Sequence, residues 1–184
     1  MPQGITYEVK VDWDMADWAA TPDFTQAIDD ISNDVASVGW NRGKEKEAGN
    51  APAATFEIRM KAGLCSKYSP ANSGGALYGK LLPWRVIRVR ASFKSTWYNV
   101  FFGFIAKYRI DPHPSRQAVS LYCTDGLDLL ARQLVTQDYN SRSGMSDGEA
   151  VNAVLNAAGW PLSRRDIDTD GGSDLLVYPD VGAF

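Results

Sequence analysis

The feature that most constrains this chain is a pair of adjacent segments with different hydrophobic patterns. Residues 85–93 (RVIRVRASF) alternate, with Ile87, Val89, Ala91 and Phe93 on one face and Val86, Arg88, Arg90 and Ser92 on the other. Strand side chains point alternately to opposite faces, so this is a strand with one face toward a core. Residues 94–96 read as the turn. Residues 97–110 (WYNVFFGFIAKYRI) are apolar on both faces, the pattern of a central strand or of one at an interface. Gly103 inside that run predicts a bulge or a corner bend.

The same reasoning extends along the chain. Residues 5–12, 35–41 and the alternating run ATFEIRMKA, with Phe56, Ile58 and Met60 on one face, predict three more strands. The run QAVSLYCTD predicts another. Pro22 marks a short helical turn inside an otherwise loop-like stretch. Asp125 is placed to cap a short helix, GLDLLARQL. Ser146 and Glu149 form a capping-box pattern ahead of a second helix, which Gly159, Trp160 and Pro161 end. RGKEKEAGNAP (42–52) is a charged connection, and about 20 residues at 63–84 form a loop long enough to carry function. Strands first and helices last predict an α+β fold: a mainly antiparallel β-barrel over 1–125, then a helical segment over 126–184.

At 184 residues the chain can bury a core without staples. It has no apolar leader and no run long enough to cross a membrane, so no membrane partner is expected. Cys65 and Cys123 are 58 residues apart, with no CxxC and no paired histidines, and read as buried free thiols rather than a zinc site. His113, the sole histidine, sits between two prolines and reads as an exposed turn residue. Asp166, Asp168 and Asp170 begin like a calcium loop, but Val177 stands where a bidentate glutamate is needed. No catalytic or nucleotide-binding motif appears. No cofactor, metal or enzymatic activity is expected.

Charge is segregated. Residues 12–34 hold seven aspartates and no lysine or arginine, while residues 80–116 hold eight basic residues against Asp111. A net charge of −3 does not suggest a nucleic-acid binder. Complementary patches favour a head-to-tail contact in which the acidic segment of one copy faces the basic hairpin of the next.

A succession of segments carries a resemblance: YEVKVDWD, DVASVGWNRGKEKEAG, ATFEIRM, YSPAN, LYGKLLPWRVIRVRA, VFFGFIAKYRIDP, VSLYCTDGLDLLAR and AVNAVLNAAGWPLSRRDID. In this order they resemble the N-terminal region of minor tail or tail-hub proteins of siphophages and prophages, over about residues 7–170. The stretch KAGLCSKYSP departs from the usual asparagine-rich turn, and similar proteins continue well past the Ala-Gly-Trp-Pro helix. The resemblance implies a tail-tube-like barrel, assembly as a trimer or ring, and contacts with tube, distal-tail, tip or fibre proteins. It also implies a channel through which DNA passes without specific binding, a place in the virion tail and assembly in the bacterial host cytoplasm. The residues expected at the assembly interface are Arg88, Arg90, Trp97, Phe102, Phe104, Tyr78 and Trp84. The alternative is a monomeric carbohydrate-binding β-domain built on tryptophans 13, 18, 40, 84, 97 and 160.

Overall fold

The computed structural model describes residues 5–15, 17, 19–41, 53–113, 117–132 and 146–167. The predicted linker 42–52, Trp18 and the calcium-like Asp168 and Asp170 lie outside them. Contacts divide the chain into two units, Met1–Leu129 and Leu130–Phe184.

In the first unit six strands form one antiparallel sheet: β1 Thr6–Val11, β2 Val35–Asn41, β3 Thr55–Met60, β4 Val86–Phe93, β5 Thr96–Asp111 and β6 Ala118–Thr124. Their order is β1-β4-β5-β6-β3-β2. Helix α1 (Gly126–Ala131) follows, and helix α2 (Asp147–Ala157) lies in the second unit. The alternation read from sequence sets the faces. Val9, Val11, Phe56, Ile58, Ile87, Val89, Ile105 and Leu121 point together into one buried core.

The sheet curls because β5 is bent twice. Val100 is an extra residue between the Val89–Phe101 and Arg90–Asn99 pairs, and Ala106 is another between Ile105–Cys123 and Lys107–Tyr122. Each bulge kinks its strand and increases the local twist. Gly103 is not the bulge that the sequence predicts. It pairs in register with Ile87 and is needed for close approach, since a Cβ there would lie 2.3 Å from the Thr124 carbonyl oxygen. The turn is also tighter than expected. Phe93 pairs with Thr96, leaving only Lys94 and Ser95 to reverse the chain.

The predicted closed barrel is corrected to a curled, open sheet. Among the described residues no ladder joins β1 to β2. The connection between them lies against the edge of β1 instead. Lys10 bridges to Asp30, the Ile31 amide donates to the Val9 carbonyl at 3.0 Å, and the Val9 amide donates to the Ser32 hydroxyl at 2.9 Å. These bonds occupy the groups of Val9 that a closing strand would need. The short helical turn expected after Pro22 is present as a 3-10 turn, Ala27–Asp29, and a second, Ser32–Asp34, leads directly into β2.

In the second unit the predicted caps are present. The Ser146 hydroxyl accepts from the Glu149 amide, and the Glu149 carboxylate accepts from the Ser146 amide. Gly159 adopts φ 72°, and the Gly159 and Trp160 amides donate to Asn156 and Leu155, which is a Schellman ending.

Ser32→Ala should cost about 1–3 kcal/mol, because it leaves the Val9 amide without its acceptor at a partly buried site. Ser32→Thr, which keeps the hydroxyl, should cost less. Urea unfolding of the two variants checks this.

Candidate assembly surface

The β4–β5 hairpin runs past the end of the core. That end is marked by stacked rings: Trp40 on Phe56 at 5.9 Å and Phe56 on Phe101 at 4.8 Å between centroids. Beyond it, Tyr7, Ala91 and Tyr98 align across β1, β4 and β5 on the core-side face, with Phe93 one step further out. Tyr98 is 55% and Phe93 47% exposed. On the opposite face Trp97 is 43% exposed and Phe102 is also at the surface, with the Arg90 guanidinium 5.2 Å from the Trp97 ring. The ribbon therefore carries exposed aromatic rings on both faces. At its tip Lys94 and Ser95 have φ 49° and 64°, a turn geometry that favours Asn-Gly.

Arg88 and Arg90 are braces more than free surface cations. Arg90 grips both oxygens of Glu8, with Nε to Oε1 at 2.9 Å and Nη2 to Oε2 at 2.8 Å, and Arg88 Nη2 reaches Oε1 at 3.3 Å. Arg88 also stacks over Phe24 at 4.5 Å. Burial alone would raise the pKa of Glu8. The hydrogen bond and charge of Arg90, with the charges of Lys10 and Arg88, outweigh it and hold the carboxyl below its ordinary 4.5.

Of the other residues expected at an interface, Phe104 is not available to a partner. It is 1% exposed, with its ring tilted 6.4 Å from Trp84. Trp84 is half-buried, holds φ 68°, and donates its amide to the Ile105 carbonyl at 2.8 Å. Tyr78 is exposed. The long loop that carries Tyr78 is largely a plug. Cys65, Tyr68 and Leu77 are buried in the core cluster. The Tyr68 hydroxyl donates to Asp34 at 2.7 Å, Lys67 pairs with the same oxygen at 2.5 Å, and the Tyr108 hydroxyl donates to the Leu82 carbonyl. Only its rim, including Tyr78 and Leu82, stands out to solvent as large apolar surface.

The acidic segment meets basic residues of its own chain. Lys80 pairs with Asp14 at 2.7 Å, Arg85 donates to the Met15 carbonyl, and Lys10 donates to the Phe24 carbonyl. Among the described residues one ion pair, Lys80 to Asp14, thus links the acidic segment to the basic segment within one copy. Tyr7, Phe93 and Tyr98 are not among the residues expected at the interface, yet they stand at the surface. The signal for them was present, since they continue the apolar face of their strands beyond the point where the core ends.

The remaining candidates are structural. Cys65 and Cys123 are buried free thiols, and burial pushes the Cys123 thiol far up. His113 is exposed and its amide donates to Asp111. Trp13 is in the core, where its indole donates to the Ile28 carbonyl. Among the described residues no group of three or more His, Cys, Asp or Glu is placed to hold a metal ion. No described helix is long and apolar enough to cross a membrane.

No family profile matches this chain, and no curated protein does. Among solved structures, it is similar to the tail protein from Neisseria meningitidis MC58, with a TM-score of 0.49 and 14% identity over 94% of this chain and 41% of that one. This chain therefore spans less than half the length of that protein.

The Glu8 cluster predicts a pH dependence. A carboxyl whose folded pKa lies below its unfolded value adds stability above the unfolded value, and this is lost as pH falls through the folded one. Glu8→Gln should cost about 1–2 kcal/mol at neutral pH and flatten the loss of stability on acidification below about pH 4.5. Urea midpoints measured for both proteins across this range test it.

Proposed function

We propose that this chain is a structural component of a bacteriophage tail tip, a hub-like protein that joins the tail tube to the tip or fibre and works as a trimer or ring. The order of segments along the chain supports this reading, as does the mainly antiparallel α+β fold that those segments build. Its work is contact rather than catalysis, done in the virion tail after assembly in the host cytoplasm.

The observation that carries the assembly claim is the two-faced aromatic hairpin. Tyr7, Phe93, Trp97 and Tyr98 are 41–55% exposed, so a partner that covers them adds about half of the roughly 1.5–3 kcal/mol that full burial of a large side chain gives. A flat partner covers one face of a ribbon. A cleft between neighbouring copies covers both, and closed symmetric assemblies supply such clefts. Exposed aromatic side chains grouped at one end of a sheet mark a candidate interaction site.

The double variant Trp97→Ser, Tyr98→Ser separates assembly from folding. Light scattering over a concentration series should give an oligomer for the wild type and a monomer for the variant. The variant's unfolding free energy should stay within about 1 kcal/mol of wild type, as for exposed positions. Phe104→Ser should instead cost about 3–5 kcal/mol by emptying a buried site. A wild type that stays monomeric at every concentration, or equal loss of folding and assembly in the tip variant, contradicts the proposal.

A further inference from the structure

We propose that the outer face of β2, β3, β6 and β5 holds a binding site for an acidic sugar, a polyol that carries a carboxylate or phosphate. The site follows from register. Ser37 pairs with Arg59, Arg59 with Ser120, and Ser120 with Arg109, so one row across four strands reads Ser-Arg-Ser-Arg. The next row reads Gly39, Glu57, Tyr122, Lys107. Adjacent strands lie about 4.8 Å apart, which puts two long guanidinium side chains on either side of Ser120, within reach of one anion.

A cavity of about 360 Å³ lies over this row, lined by Arg59, Arg109, Ser37, Ser120 and Tyr122 among others. A second of about 620 Å³ shares Glu57 and Tyr122 with it and extends toward Asn41 and Thr55. The two cavities lie side by side along the sheet, with Glu57 and Tyr122 lining both. Gly39 keeps space beside Glu57 open, since a Cβ built there meets nothing within 4 Å.

The chemistry selects the ligand class. Among the described residues the Glu57 carboxylate accepts from the Nε of Arg59 alone, at 3.0 Å. The side chains of Arg109, Ser37, Ser120 and Tyr122 have no hydrogen-bond or ion-pair partner among the described residues. Two further carboxylates lie at the ends of the site: Asp111, which accepts from the His113 amide at 3.2 Å, lines the first cavity, and Asp128 lines the second. Arginine binds planar or tetrahedral oxyanions through paired hydrogen bonds. The serine hydroxyls and the Glu57 carboxylate supply the mixed donors and acceptors that sugar hydroxyls need, and a tyrosine ring offers an apolar face with a polar edge. This site is separate from the hairpin tip and does not rest on the assembly reading.

Amide chemical-shift titration of the full chain tests it, with glucuronic acid, glucose 6-phosphate, glucose and inorganic phosphate as probes. Saturable shifts at Ser37, Ser120 and Tyr122 are expected with an acidic sugar, and the tighter of the two acids tells carboxylate from phosphate. Glucose and inorganic phosphate should each bind at least about tenfold more weakly, since each lacks one half of the contacts. Arg109→Gln and Arg59→Gln, both at exposed positions, should each weaken binding at least about tenfold while leaving shifts elsewhere in place. Absence of shifts with both acids overturns the site, and so do shifts scattered over the surface or binding unchanged in both arginine variants. Glucose binding as tightly as the acids removes the anion half, and inorganic phosphate binding as tightly removes the sugar half; either result overturns the proposal as stated.

Discussion

The structure of the first unit depends on how the edge of β1 is satisfied. An open sheet of six strands leaves two edges, and an unpaired edge invites association with other chains. Here the Val9 amide and carbonyl are taken up by Ser32 and Ile31, so the connection from β1 to β2 lies along the edge it has just left. That contact fixes where β2 begins and therefore where the far edge of the sheet lies. With β5 kinked at Val100 and Ala106, the inner faces of β1 and β3 are drawn onto a common core.

The two ends of this core are finished differently. At one end Tyr68 and Leu77 seal the interior, held by the Tyr68 bond to Asp34. At the other the Trp40–Phe56–Phe101 stack ends the core and the hairpin continues beyond it. One end is sealed by its own loop, and the other carries exposed aromatic side chains among the described residues. Among those residues, two ion pairs of the acidic segment, Asp14 with Lys80 and Asp34 with Lys67, are made within the same copy.

The strands and helix caps were legible in the sequence because each is a local pattern. Phe56, Ile58 and Met60 alternate with polar residues, and Ser146 and Glu149 stand at fixed spacing. The open seam was not legible, because it turns on one hydroxyl, that of Ser32, meeting an amide 23 residues away in sequence. Phe104 and Phe102 look alike in sequence, yet one is buried and the other exposed. The bulges that move β5 in and out of register leave no residue signature, and Gly103, the one glycine that suggested a bulge, serves close packing against Thr124 instead. The Ser37-Arg59-Ser120-Arg109 row is invisible in the chain because it exists only once the strand order is known.

The most direct measurement of the assembly account is hydrogen exchange over residues 93–98 of the unmodified chain, followed as protein concentration rises. If copies bury the hairpin tip in one another, exchange there should slow with concentration while exchange at the core amides of β3 and β6 stays constant. Exchange at the tip that remains fast while the solution mass grows would mean that assembly uses another surface, and would contradict the account.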